Sequence, residues 1–402
     1  MNLSVSQNAL AASFGLSMIA FGFLSSAYSW TYLVMQIPAG MLLDRFGVRK
    51  VGCVSTVLWS IASFGAAISA GLTGLFTARF LLGIGESPTF PANAKALGYW
   101  FPESERSLAT AITDSAAKLS TAIGVPVLGL LLLRFGWRWS FAATGVISFF
   151  YFLLFYWTYF NPSEDGKLTD EEFQTMLRGR VQPEEAGNNS RDGNKGASLG
   201  YLLRQPKTYG LGLGWGAYNY TFYLLLTWLP SYLLISLHVD LLHSVFYTSV
   251  PWLFATFTDL VVGGWLVDAL INRGYNSSHV RQGVLIAGTG CGLGILGAAR
   301  AHAPVTALIW ISISLGGLAA AAPVAWTVPS LIAPRESVGR LAAIVNLCGQ
   351  IGAISAPIVT GYVAAITHAF ASAFVAATGI LLLGIAGYIF LLRRIEPIPE
   401  PE

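Results

Sequence analysis

Arg79 and Glu86 stand seven residues apart in the run Arg79-Phe-Leu-Leu-Gly-Ile-Gly-Glu86-Ser-Pro-Thr-Phe-Pro-Ala-Asn93, which is otherwise apolar enough to cross a bilayer. An ionisable side chain at membrane depth costs at least ~2.5 kcal/mol, so such residues usually face a bundle interior or a wet cavity and mark a substrate or proton path. Seven residues is close to two helical turns, which points both side chains the same way, about 10 Å apart along the axis. A guanidinium stays charged and its planar fork binds a carboxylate bidentately. A glutamate beside it is suited to take up and release a proton. The chemistry indicated is anion binding by Arg79 with proton transfer at Glu86; the alternative is a buried ion pair that only locks two helices. Asp114 and Lys118 form a second charged pair, four residues apart in the order that suits a helical ion pair. Asn219, Tyr220 and Tyr223, and Asn346 with Gln350, are spaced to present amides and hydroxyls on single helix faces, for a polar ligand or for helix-helix hydrogen bonds.

The elements that position these groups are membrane spans. Charged residues make up 11% of the 402 residues and apolar or aromatic ones 54%, against about 25% charged in a soluble protein. Hydrophobic blocks of bilayer-spanning length run roughly over 16–43, 50–70, 73–97, 107–133, 139–160, 208–235, 244–271, 282–302, 304–332, 341–366 and 369–392. The alternation of a β-barrel is absent, and no Lys or Arg precedes Arg45, which argues against a cleaved leader. Lys and Arg crowd alternate loops, among them Arg45, Arg49 and Lys50, seven residues between Lys167 and Lys207, and Arg393 with Arg394, so those loops are expected to be cytoplasmic. Trp137, Trp139 and Tyr156 read as interfacial anchors. Cys53, Cys291 and Cys348 read as inert packing residues, and the five histidines share no metal-ligand spacing, so no metal or other cofactor is expected.

Between Asn161 and Lys207 the composition turns polar. This predicts a bundle over 1–160, a cytoplasmic linker over 161–207, a second bundle over 208–394 and a tail over 395–402. Within the linker, Thr169-Asp-Glu-Glu172 is a capping-box pattern opening a short surface helix. The linker's charges nearly balance, so nucleic acid is not an expected partner. Gly40-Met-Leu-Leu-Asp44-Arg45 is echoed by Gly264-Trp-Leu-Val-Asp268-Ala269, and Pro102-Glu-Ser-Glu-Arg106 more loosely by the run from Pro334 to Arg340, which implies an internal duplication. Paired repeats of this kind put a substrate site near the bilayer midplane and work by rocking about it.

The pattern Gly40-x-x-x-Asp44-Arg45-x-Gly47-x-Arg49-Lys50 resembles the loop motif of the major facilitator superfamily. Gly40 and Gly47 permit the turn, and Asp44 is suited to a helix N-terminus. The resemblance implies that Gly40, Asp44, Arg45, Gly47, Arg49 and, in the second half, Asp268 serve the cytoplasmic gate. The run Gly83-Ile-Gly85-Glu86-Ser-Pro88-Thr-Phe-Pro91-Ala-Asn93, with Gln36-Ile-Pro38, Trp100-Phe-Pro102, Gly136-Trp-Arg138-Trp and Thr227-Trp-Leu-Pro230-Ser-Tyr232, is similar to the anion:cation symporter branch over essentially the whole chain. It implies an all-α integral membrane protein of two pseudo-symmetric six-helix bundles that imports sugar acids or other small carboxylates with protons. Carried over by position, Arg79 matches the family's membrane arginine, Glu86 its proton-linked glutamate, Tyr32 a cavity tyrosine, and Asn346 an eleventh-helix polar residue that meets substrate.

Three departures stand out. Asp114 and Lys118 fall where many relatives are uncharged; Lys118 is either a second substrate cation or the self-neutralising partner of Asp114, itself a candidate proton carrier. Asp259 lies inside a span and reads as a hydrogen-bonded structural acid, the alternative being a second proton site. Ala269 replaces the expected arginine of the second loop motif. The opening Met1-Asn2-Leu3-Ser4 matches the middle of the family's first helix, so that helix is expected to be truncated, leaving about eleven complete spans. The reading is a monomeric, multi-pass inner-membrane transporter, not an enzyme, that brings in a small organic anion by proton symport. Its rivals are an exporter or antiporter of the same fold, a membrane-embedded enzyme, for which no nucleophile-base constellation is visible, and a sensor that binds without transport.

Overall fold

The computed structural model describes residues 1–101, 103–162, 165, 168, 197–334 and 337–400, with backbone alone at 103–108 and 111. The surface helix expected after Thr169 lies outside these residues. Every regular element described is helical. Among the described residues, eight helices are long and apolar enough to cross a membrane. The longest, Met18–Ala67, holds two of the expected blocks joined at Gly47, whose φ of 78° and ψ of 167° form a backbone state essentially reserved for glycine. Helix Pro206–Ile235 matches another block in length, its hydropathy lowered by tyrosines and tryptophans. The block over 73–97 is divided into Leu72–Glu86 and Thr89–Trp100 by Ser87-Pro88. Pro91 falls in the first turn of the second piece, where a missing N–H breaks no intrahelical bond.

Many large apolar side chains point outward, among them Ile37, Ile68, Ile147 and Phe390. Helix Trp137–Thr158 buries Trp137, Ser140, Phe141 and Gly145 and leaves most of its apolar side chains uncovered by protein, so its outer surface suits lipid rather than water. Trp139 and Tyr156 on that helix are exposed, as anchors require, whereas Trp137 is buried beneath the Arg138 guanidinium, 4.4 Å from the ring centre. The three cysteines are free, and Cys291 is exposed rather than packed.

The chain forms two compact units. One comprises Ala27–Thr113 and Arg134–Gly193, the other Met1–Ser26, Asp114–Leu133 and Asn194–Glu402. In the first, Leu43, Val48, Val51, Ala92 and Tyr99 make a core closed by Trp100 and Tyr159. In the second, helix Pro206–Ile235 lies against helix Val338–Thr367 so closely that a Cβ at Gly352 would sit 2.4 Å from the Gly216 carbonyl oxygen. Helix Ser277–Gly292 meets helix Pro304–Ile332 in the same way, with a Cβ at Gly288 falling 2.5 Å from the Gly317 oxygen. Small residues at the contact are how helices gain close packing where lipid removes the usual hydrophobic drive. The short helices Asn2–Val5 and Gln7–Phe14 belong to this unit, with Ser4 Oγ donating to the Thr227 oxygen at 2.7 Å.

Candidate functional site

In the smaller unit, Arg79 and Glu86 lie on one helix, Leu72–Glu86, with Glu86 its final residue. Both are partly buried and within electrostatic reach of each other. The element that completes the cluster is helix Met18–Ala67. Its Tyr28 ring lies 5.3 Å from the Arg79 guanidinium carbon, and its Tyr28 hydroxyl is a hydrogen-bond partner of the Glu86 carboxylate. Tyr32, buried one turn on, lies 5.5 Å from Tyr28 between ring centres. The approach is set by Gly83, where a Cβ would fall 2.2 Å from both Thr31 Oγ1 and the Tyr28 carbonyl oxygen. Thr31 Oγ1 also donates to the Phe80 oxygen at 2.9 Å, fixing the register of the two helices. Of these four, Arg79, Glu86 and Tyr32 are sequence candidates and Tyr28 is not; its signal in the sequence is its place one helical turn before Tyr32.

The expected gating residues of the first loop motif lie in the same unit, flanking Gly47. Asp44 is exposed and pairs with Lys95 at 2.5 Å, the ammonium also donating to the Leu43 oxygen at 3.3 Å. This ties helix Met18–Ala67 to helix Thr89–Trp100 through residues 51 apart, a pairing that motif spacing does not show. Arg49 lies over the Phe160 ring at 4.0 Å and donates to the Tyr156 oxygen, so it holds the end of helix Trp137–Thr158. Arg45 sits 5.2 Å from the centre of the Phe46 ring. A Cβ at Gly40 would meet nothing within 4 Å.

In the larger unit, Asn219 donates from Nδ2 to the Trp215 oxygen one turn back at 2.9 Å and packs against Gly349 of helix Val338–Thr367. Gln350 beside it is buried, and its Oε1 is an acceptor with no hydrogen-bond partner among the described residues. Asn346, partly buried, lies one turn before Gln350. Lys118 is almost completely buried and donates to Asp114 Oδ2 at 2.8 Å and to Asp259 Oδ2 at 2.7 Å. Its expected partner is present, and so is one that sequence spacing could not join, since Asp259 is 141 residues away. Asp268 is in electrostatic reach of Arg281.

The Major Facilitator Superfamily profile matches residues 1–277. The chain is 38% identical to the uncharacterized transporter YybO of Bacillus subtilis (strain 168), over 98% of this chain and 90% of that protein. It is 31% identical to the probable galactarate/D-glucarate transporter GarP of Escherichia coli (strain K12), again over 98% of this chain and 90% of the relative. Among solved structures, a bacterial homologue of the human lysosomal transporter Spinster, in an inward-facing and occupied conformation, superposes with a TM-score of 0.73 at 16% identity, covering 98% of this chain and 92% of that one. That likeness concerns the fold. The family and the relatives are transporters rather than enzymes, and the many apolar helices agree with a multi-pass membrane protein. From its motifs, its length of match and its helical architecture, this chain belongs to the Major Facilitator Superfamily.

Proposed function

We propose that the protein imports a small sugar acid across the plasma membrane by proton symport. The observation that carries this reading is the cluster of Arg79, Glu86 and Tyr28, a fixed cation and a titratable acid linked through one tyrosine. Arg79 holds a substrate carboxylate, because a guanidinium offers two parallel donors to it and cannot lose its charge. Glu86 carries the coupling proton, and no other coupling ion or cofactor is needed. Tyr32 in the smaller unit offers a hydroxyl, and within the larger unit Asn219, Asn346 and Gln350 carry polar groups of the kind that sugar hydroxyls require, the unsatisfied Gln350 acceptor being the clearest. The galactarate/D-glucarate specificity named for GarP supports a polyhydroxylated acid as the substrate class. Asp44 with Lys95, and Arg45, Gly47 and Arg49 around them, form the cytoplasmic latch.

The test is uptake of a panel of radiolabelled aldarates, aldonates and hexuronates by cells expressing the chain, with and without an imposed inward proton gradient. Accumulation of at least one sugar acid that collapses with a protonophore is expected. Accumulation unaffected by the gradient would remove the coupling, and efflux from right-side-out vesicles without uptake would reverse the direction.

A further inference from the structure

Lys118, Asp114 and Asp259 form a charge cluster that the reading above does not use as a unit. The Lys118 and Asp259 side chains are only 3% and 1% exposed, and Asp114 is 22% exposed. One ammonium faces two carboxylates, so the fully ionised trio carries one uncompensated negative charge in a desolvated place. Breaking even a balanced buried pair is costly, and a surplus buried charge is costlier still unless it is neutralised. The lone pairs show where neutralisation would occur. Asp259 Oδ2 accepts from Lys118, while Asp259 Oδ1 is buried with no hydrogen-bond partner among the described residues.

Among the described residues, the groups that face the trio from neighbouring elements offer nothing else to balance the charge. Tyr218, from helix Pro206–Ile235, faces the trio with Tyr223 near it, and both are phenols, neutral at physiological pH. Helix Pro304–Ile332, which Asp259's own segment packs along through Thr258 Oγ1 and the Gly316 oxygen at 2.8 Å, has no titratable side chain. Asp268, with Arg281, lies more than two turns beyond Asp259. Asp259 also opens a π-helical stretch, Asp259–Leu266, a widened turn that occurs mostly at functional positions.

We propose that Lys118, Asp114 and Asp259 form a second proton-binding site, in which one exchangeable proton adds to Asp259 Oδ1 while Oδ2 keeps its bond to the Lys118 ammonium. The step is an addition: the Asp259 carboxylate becomes a carboxylic acid, the trio passes from one net negative charge to none, and release returns the proton to water. In the transport reading this site would be a second carrier beside Glu86, and that role alone rests on the reading; the site itself does not.

Its test needs no substrate. The purified full-length protein in lipid is titrated with acid and base while the protonated-carboxyl stretch is followed by difference infrared spectroscopy. The wild type is expected to show a titrating carboxyl that persists in Glu86→Gln. The band should vanish in Asp259→Asn, and also in Asp114→Asn, because losing either carboxylate leaves a balanced pair. In Lys118→Met a second titrating carboxyl should appear, since two acids then face no cation. If Asp259→Asn fails to fold, Asp114→Asn carries the same expectation. Retention of the wild-type band in either folded variant overturns the proposal, as does a wild type whose only titrating carboxyl disappears with Glu86→Gln. Absence of sugar-acid uptake would defeat the transport reading and leave this result standing.

Discussion

At the scale of residues, Arg79 and Glu86 are held by contacts that distinguish charge from shape. The Tyr28 ring covers the guanidinium, and its hydroxyl meets the glutamate, so each of the two is oriented before any substrate arrives. Arg79→Lys keeps the charge but loses the planar fork. One charge-assisted bond of about 1.5–3 kcal/mol is then missing, so substrate should bind roughly 10- to 100-fold more weakly in equilibrium binding to purified protein. Parent-like affinity would move the anion site elsewhere. Glu86→Gln replaces the acid with a group that cannot titrate. Counterflow exchange should survive in this variant while proton-driven accumulation and its pH dependence are lost, as proteoliposome assays with and without a gradient will tell; an unchanged pH profile would take the coupling role away from Glu86.

At the scale of elements, helix contacts in the smaller unit are set by glycine. At Gly83 a Cβ would enter the Tyr28 backbone, which has no flexible end to move aside. Gly83→Ala should therefore cost about 1–3 kcal/mol by overpacking, despite the better helix propensity of alanine, and transport should fall with it because Tyr28 is displaced. Gly65→Ala, on the helix that Gly83 touches, meets nothing within 4 Å and should be neutral or slightly stabilising in the same thermal unfolding series. A second element carries its own pH response. Asp240 caps helix Leu241–Thr258, accepting from the His243 amide at 3.1 Å and from its ring, and these donors hold its carboxyl below the usual aspartate range. A lowered native value means that the cap is complete at neutral pH and is lost as pH falls through the acid range. Amide exchange at the first turn of this helix should then accelerate on acidification, and Asp240→Ala should be fast at neutral pH and insensitive to the change.

At the scale of the whole molecule, chain order and spatial grouping diverge. Met1–Ser26 and Asp114–Leu133 join the unit that contains Asn194–Glu402, far from them in sequence. The two short N-terminal helices bury Leu3, Val5 and Leu10, and Ser231 Oγ donates to Gln7 Oε1 while Ser4 reaches the Thr227 oxygen. Deleting residues 2–14 should consequently uncover one side of helix Pro206–Ile235 and lower the thermal unfolding temperature of the purified protein. An unaltered melting curve would mean that those contacts stabilise nothing.

Much of this protein could be read from sequence because a bilayer imposes its rules locally. Twenty apolar residues favour a helix, since lipid leaves backbone groups few other partners, and each expected block is occupied mainly by helix, with interruptions at Ser87-Pro88 and Leu293-Gly294. The rarity of charge at that depth likewise singled out Arg79, Glu86, Asp114, Lys118 and Asp259, and helical period placed Asp114 beside Lys118. Tertiary structure alone decided the partners. Asp259 reaches Lys118 across 141 residues, Tyr28 meets Arg79 and Glu86 only because Gly83 lets two helices touch, and Asp44 finds Lys95 on a different helix. Sequence periodicity fixes which face of a helix a side chain occupies, but which faces meet is settled by close packing of small residues and by the partners that buried charges find, and both depend on distant segments being brought together.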